Sequence, residues 1–93
     1  MTHIVAPDRR YRLNKDVQVR AERFGLLFYD RRGPSLLFVS SKGLIDPGFF
    51  QGRETPRELI WRIENDRFGR VRLERALTSI LARLEQKGLI DAV

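Results

Sequence analysis

Residues able to carry chemistry are few in this chain, and their spacing works against catalysis. His3 is the only histidine and there is no cysteine. His3 falls in residues 1–10, a stretch with little apolar pattern that reads as a flexible N-terminal arm. A nucleophile–histidine or histidine–carboxylate pair therefore has no ordered position. Disulfides, thiolate zinc sites and cysteine-bound iron–sulfur clusters are excluded for this chain. The carboxylates Asp46, Glu54, Glu58, Glu64 and Asp66 lack calcium-loop spacing. Glu64 and Asp66 are near enough in sequence to share a site, but their pattern is that of solvated helix-end charges. The seven glycines form neither a phosphate loop nor a dinucleotide fingerprint. The expectation is a non-enzyme without metal or cofactor.

What the chain has in excess is arginine. Net charge is +6, and of the 18 basic residues all but Lys15, Lys42 and Lys87 are arginine. A planar guanidinium fork suits carboxylates and phosphates. The surplus points to an acidic partner, peptide or nucleic acid; a plain solvated surface is the competing explanation, because the bases are scattered.

Ninety-three residues make one domain with one modest core, here assigned to residues 11–93. No apolar stretch approaches the ~18–20 residues that span a bilayer. The first ten residues do not have the charged-then-apolar order of a secretory signal. No membrane partner is expected, and the default location is the cytoplasm.

The elements that must present any site follow from periodicity. Residues 17–22 alternate apolar and polar, so Val17, Val19 and Ala21 should face inward. Two apolar runs, 24–29 and 35–39, flank the basic turn 30–34 and read as a hairpin. Phe24, Leu26 and Phe28 share one face of the first run. In the second, Leu36 and Phe38 oppose Leu37 and Val39. Gly25 marks a bend or a close backbone approach; Gly33 permits positive φ in the turn. Residues 43–53 give mixed signals, read as a short helix or irregular segment, because Pro47 and Gly48 interrupt the apolar pairs at 44–45 and 49–50. Thr55-Pro56-Arg57-Glu58 is a capping box. It opens a helix with Leu59, Ile60 and Ile63 inward, Trp61 near its edge, and an end near 65–66. A last helix carries Leu73, Ala76, Leu77, Ile80, Leu81 and Leu84 at helical spacing. Gly88 closes it in a left-handed cap with Leu89 touching Leu84. Ile90 adds a short terminal strand.

The run 35–39 is too apolar to sit comfortably at an open sheet edge. The domain itself, a second copy of the chain or a partner must cover it. Two binding readings follow. In the first, an extended peptide adds to this strand in a groove beside the last helix. Ser35, Leu36, Leu37, Phe38, Val39 and Ser40 form the strand side, and Arg72, Arg75, Ser79 and Arg83 the helix side. In the second, the chain is a winged-helix nucleic-acid binder, with Arg31-Arg32-Gly33 as a wing and Arg70, Arg72, Arg75 and Arg83 on phosphates. Against the second, the strands precede the helices, and the last helix carries few residues suited to base edges, with no Asn and only Gln86 near its end.

Residues 11–40 also resemble a known family. The run Arg20-Ala21-Glu22-Arg23-Phe24-Gly25-Leu26-Leu27-Phe28-Tyr29, with Tyr11-Arg12-Leu13-Asn14 before it and Leu36-Leu37-Phe38-Val39-Ser40 after it, is similar to the mycofactocin precursor-peptide chaperones. These belong to the PqqD-like group of RiPP recognition elements. The C-terminal segment 84–90 matches more loosely, and 43–53 departs from the pattern. The resemblance implies an α+β, winged-helix-like PqqD-type domain: a three-stranded antiparallel sheet followed by three helices. It implies a non-catalytic chaperone that holds a ribosomally made precursor peptide and presents it to a radical S-adenosylmethionine maturase in mycofactocin biosynthesis. In that group the peptide adds antiparallel to the third strand, here residues 35–40, beside the last helix, here about 71–84. The partners implied are the precursor peptide and the maturase, not nucleic acid. A homodimer through the third strand remains open.

Overall fold

The computed structural model describes residues 7–41 and 43–93, so the arm assigned to 1–10 falls largely outside the described residues. The strands are β1 (Tyr11–Leu13), β2 (Val17–Glu22), β3 (Gly25–Asp30), β4 (Ser35–Ser40) and β5 (Ile90–Ala92). The helices are α1 (Pro56–Ile63) and α2 (Arg67–Gln86), preceded by a 3₁₀ turn at Pro47–Phe50. The architecture is α+β. β2, β3 and β4 form a three-stranded antiparallel sheet in that order, and β1 pairs with β5 in a separate two-stranded ribbon.

Two α-helices, not three, follow the sheet. Where a third was expected, Asp46 leads into a single 3₁₀ turn with Pro47 at its start. Proline lacks the N–H that a longer helix needs, and Gly48 is a poor helix former. Burial explains the turn: it drives Phe49 and Phe50 into the core. Phe50 meets the Phe28 ring edge-on at 5.5 Å and the Phe49 ring at 5.2 Å, and Tyr11 stacks against Phe49 at 6.4 Å. Burying each such ring is worth about 1.5–3 kcal/mol, enough to set the local backbone.

α1 begins as its capping box dictates. The Glu58 amide donates to Thr55 Oγ1 at 3.1 Å, and the Thr55 amide donates to Glu58 Oε1 at 2.9 Å. It stops at Ile63 rather than near 65–66, because Asp66 already caps the next helix by accepting from the Gly69 amide at 3.0 Å. Ile63 is consequently exposed instead of inward. α2 buries Leu73, Leu77, Leu81 and Leu84, whereas Ala76 is exposed. Its end is a Schellman cap: the Leu89 amide donates to the Leu84 carbonyl at 3.0 Å and the Gly88 amide to that of Glu85 at 2.9 Å. Gly88 sits at φ +70°, a conformation that favours glycine.

The chain ends are tied together. The Val93 amide donates to the Arg10 carbonyl at 2.7 Å, and the Asn14 amide to the Leu89 carbonyl at 2.9 Å. Pro7 accepts from the Arg57 amide at 3.0 Å. No described helix is long and apolar enough to cross a membrane.

Candidate functional site

Strand order decides which backbone is left open. β2 and β3 are joined by the two-residue turn Arg23-Phe24, with Glu22 opposite Gly25. In antiparallel pairing, opposed residues alternate between exchanging both backbone bonds and exchanging none. The bond from the Arg31 amide to the Asp16 carbonyl, 3.0 Å, fixes the phase. Gly25, Leu27 and Tyr29 therefore bond to β2, and Leu26, Phe28 and Asp30 to β4. Their partners on β4 are Val39, Leu37 and Ser35. The N–H and C=O groups of Leu36, Phe38 and Ser40 then point away from the sheet, and no described strand lies beyond β4.

The side chains of this edge divide cleanly. Leu37 and Val39 turn inward, Val39 into the core and Leu37 packed against it. Leu36 and Phe38 turn outward, 66% and 48% exposed. Leu27 and Tyr29 lie on the same outer face, opposite Phe38 and Leu36. The Phe38 ring also covers Gly25: a Cβ added there would meet the ring at 3.0 Å and the Val39 carbonyl oxygen at 2.0 Å. The close backbone approach expected at Gly25 is present. Phe24, expected to share a strand face with Leu26 and Phe28, lies instead in the turn and is exposed, with the Arg23 guanidinium 5.3 Å above its ring.

The two sheet edges differ in chemistry. β2 presents Gln18, Arg20 and Glu22 outward, the last two ion-paired at 2.6 Å, and Ala21 at its end is exposed rather than inward. Charges of this kind guard an edge against pairing. β4 has no charged residue. An open groove of about 810 Å³ runs along β2 and reaches Leu27, Tyr29 and Leu36.

On α2, Arg72, Arg75, Ser79 and Arg83 are all exposed. At 3.6 residues per turn, Arg72, Ser79 and Arg83 share the flank of α2 away from α1, while Arg75 lies on its outermost face. Arg75 and Ser79 border a shallow depression with Glu74 and Thr78; Arg72 borders another with Arg67 and Phe68. Neither contains a residue of β4, so α2 and β4 do not share these hollows.

The basic turn has a structural task. Arg32 grips Asp30 through two bonds, 3.0 and 2.9 Å, and donates to the Gly88 carbonyl at 2.9 Å. It thereby joins the β3–β4 turn to the cap of α2. Its side-chain bond to Asp30 holds that carboxyl below the usual range. Gly33 does not take the positive φ expected for it; the described glycines that do are Gly43, Gly52 and Gly88. Among the described residues no three His, Asp or Glu side chains converge as metal ligands would.

No family model matches this sequence, and neither the curated proteins nor the solved structures contain a match.

Proposed function

We propose that this chain is a peptide carrier. It takes up an extended, ribosomally made precursor peptide as a fourth strand on β4 and presents it to a radical S-adenosylmethionine maturase, in the cytoplasm, as a step toward mycofactocin. One observation carries the reading: an uncharged strand at the sheet edge, with the backbone of Leu36, Phe38 and Ser40 directed outward beside two exposed apolar side chains. The resemblance of residues 11–40 to the precursor-peptide chaperones supplies the identity of peptide and maturase.

In mechanism, the added strand exchanges backbone bonds with Leu36, Phe38 and Ser40, and its alternate side chains lie over Leu36 and Phe38. Ordering a free peptide costs free energy, so affinity rests on several backbone bonds and a few apolar anchors. Arg72 and Arg83 steer acidic peptide residues and act on the association rate more than on affinity. Holding the peptide raises its effective concentration at the maturase. Commitment of Arg32 to Asp30 and Gly88 favours the peptide reading over a phosphate-binding wing.

The test is an amide chemical-shift titration with a synthetic precursor peptide, repeated with short duplex DNA. Shifts concentrated on residues 35–40, with peptide and not with DNA, are expected. Shifts confined to α2 with DNA, or a peptide that leaves β4 unmoved, would overturn the proposal.

A further inference from the structure

The turn at 31–34 is where the sheet meets the helices. Ser35 opens β4 opposite Asp30. The Asp30 carboxylate accepts three bonds from one residue: from the Arg32 amide at 3.0 Å, from its Nε at 3.0 Å and from its Nη2 at 2.9 Å. The same Nη2 donates to the Gly88 carbonyl at 2.9 Å. Among the described residues, this is the hydrogen bond that ties the three-stranded sheet to α2. The loop between β1 and β2 fastens to the same cap. There the Asn14 amide donates to the Leu89 carbonyl at 2.9 Å, and the Arg31 amide donates to the Asp16 carbonyl at 3.0 Å.

Stability alone does not account for this joint. The Arg32 and Asp30 side chains are 40% and 16% exposed, and ion pairs open to water contribute little to folding. Nor is the guanidinium free to take a guest carboxylate. Its bond to Asp30 pushes its pKa up, and Asp16 and Asp91 push the same way through space. Three carboxylates already answer its charge. What the joint does fix is geometry. A planar fork that meets both oxygens of a carboxylate and one carbonyl holds the turn in one orientation. That matters for β4, because an edge strand bonded to β3 alone depends on its turn to keep its first residues in place. An edge already ordered spares an incoming strand the cost of ordering it.

We infer that Arg32 is a positioning residue for strand addition: touching no atom of the guest, it holds the start of β4 against the cap of α2, so that the outward backbone of Leu36 and Phe38 stands ready. The inference rests on the peptide-carrier reading and extends it to the residue that prepares the edge.

The test reads affinity and stability side by side, from anisotropy with a labelled synthetic precursor peptide and from circular dichroism melts. Arg32→Ala should weaken binding about fivefold, as when the competent edge falls to about a fifth of the population. Arg32→Lys should not restore it, because an ammonium has no fork. Thr55→Ala, at the cap of α1, should lose comparable stability and leave Kd unchanged. Asp30→Ala combined with Arg32→Ala should bind no more weakly than either alone. A counterpart peptide with every Asp and Glu replaced by Asn and Gln should show the same fivefold loss. In the free chain, amide exchange at Leu37 should quicken in Arg32→Ala while that at Leu81 does not. Unchanged affinity, an unfolded Arg32→Ala chain, rescue by lysine, an equal loss in Thr55→Ala, additive losses, a loss that vanishes with the neutral peptide, or equal quickening at Leu37 and Leu81 would each overturn the inference. The parent chain separates the two proposals. Precursor shifts on residues 35–40 that Arg32→Ala leaves unweakened keep the carrier reading standing alone, whereas a parent that takes no precursor on β4 removes both.

Discussion

Proline substitution along β4 tests strand addition residue by residue. The N–H of Leu36 points away from β3, and that of Leu37 points into the ladder. Leu36→Pro therefore deletes a donor that only a guest strand would use, at an edge where proline is tolerated. Leu37→Pro deletes a donor that holds β4 to Phe28 and disturbs packing against the core. For peptide binding, Leu36→Pro loses one backbone bond, about 0.5–1.5 kcal/mol. It also loses an anchor whose exposed two-thirds would be covered by a guest, about 1–2 kcal/mol at the usual value for burying a leucine. The sum, about 1.5–3.5 kcal/mol, is a roughly 10- to 300-fold weaker Kd. Leu36→Ala keeps the N–H and should lose only the anchor share. Circular dichroism melts run beside anisotropy with a labelled precursor peptide give both quantities. Leu36→Pro should melt close to the parent, and Leu37→Pro far below it or not fold. If Leu36→Pro binds peptide as tightly as the parent, strand addition at β4 is refuted. If it unfolds as Leu37→Pro does, the assignment of outward and inward backbone is refuted.

Other expectations follow from the same geometry. Gly25→Ala drives a Cβ against the Val39 carbonyl and should destabilise by at least the 1–3 kcal/mol typical of overpacking, read by urea denaturation. Thr55→Ala removes a buried cap and should cost about 1 kcal/mol, lowering Tm by about 4–8 °C for a domain of this size. Glu58 is held below the ordinary glutamate range first by its bond from the Thr55 amide, and Asp30 below the aspartate range first by Arg32. Both lowered values mean that their stabilisation is complete above the ordinary carboxylate range and is lost as pH falls through it toward the folded-state values. Tm should therefore drop on acidification, less so in Glu58→Gln, which has no carboxylate to titrate, and an unchanged profile in that variant would contradict the assignment to the capping box. Charge reversal at Arg72 and Arg83, on the flank of α2 that α1 leaves open, should slow peptide association at low salt more than reversal at Arg75; stopped-flow mixing at two ionic strengths measures the difference.

The sequence made some elements plain because their determinants are local. The alternation of Val17 to Glu22, the Thr55–Glu58 box and the Gly88–Leu89 cap each act within a few residues, and each element forms where its signal lies. The expectations that failed depend on distant atoms. Pro47 and Gly48 argue against a helix, yet the 3₁₀ turn is fixed by the need of Phe49 and Phe50 to reach Phe28 and Tyr11. Phe24 has the parity to share a face with Leu26 and Phe28, but the turn it occupies with Arg23 removes it from the strand. Ile63 has the right helical phase, but the cap at Asp66 ends α1 too early for it to be covered. The same limit applies to the site. That β4 is apolar on both faces is written in residues 35–40; that it lies at an edge is a property of strand order, and nothing within the strand encodes its neighbour. Trp61 reads as a helix-edge residue, and only the placement of α1 beside α2 sets it at a groove between them.

An uncharged edge strand with exposed Leu36 and Phe38 invites a second copy of the chain as readily as a peptide, and the fold contains reasons why a peptide has the advantage. Two copies bring together molecules of net charge +6, a repulsion that an acidic or neutral peptide does not meet. A flexible peptide can also follow the twist of β4, whereas a copied sheet brings its own helices and three strands. The guarded edge at β2, with Arg20 and Glu22 paired outward, further limits growth: a sheet able to extend on one side only can accept one strand and cannot propagate as a fibre. The asymmetry of the two edges thus suits single, reversible occupancy, which is what a carrier requires.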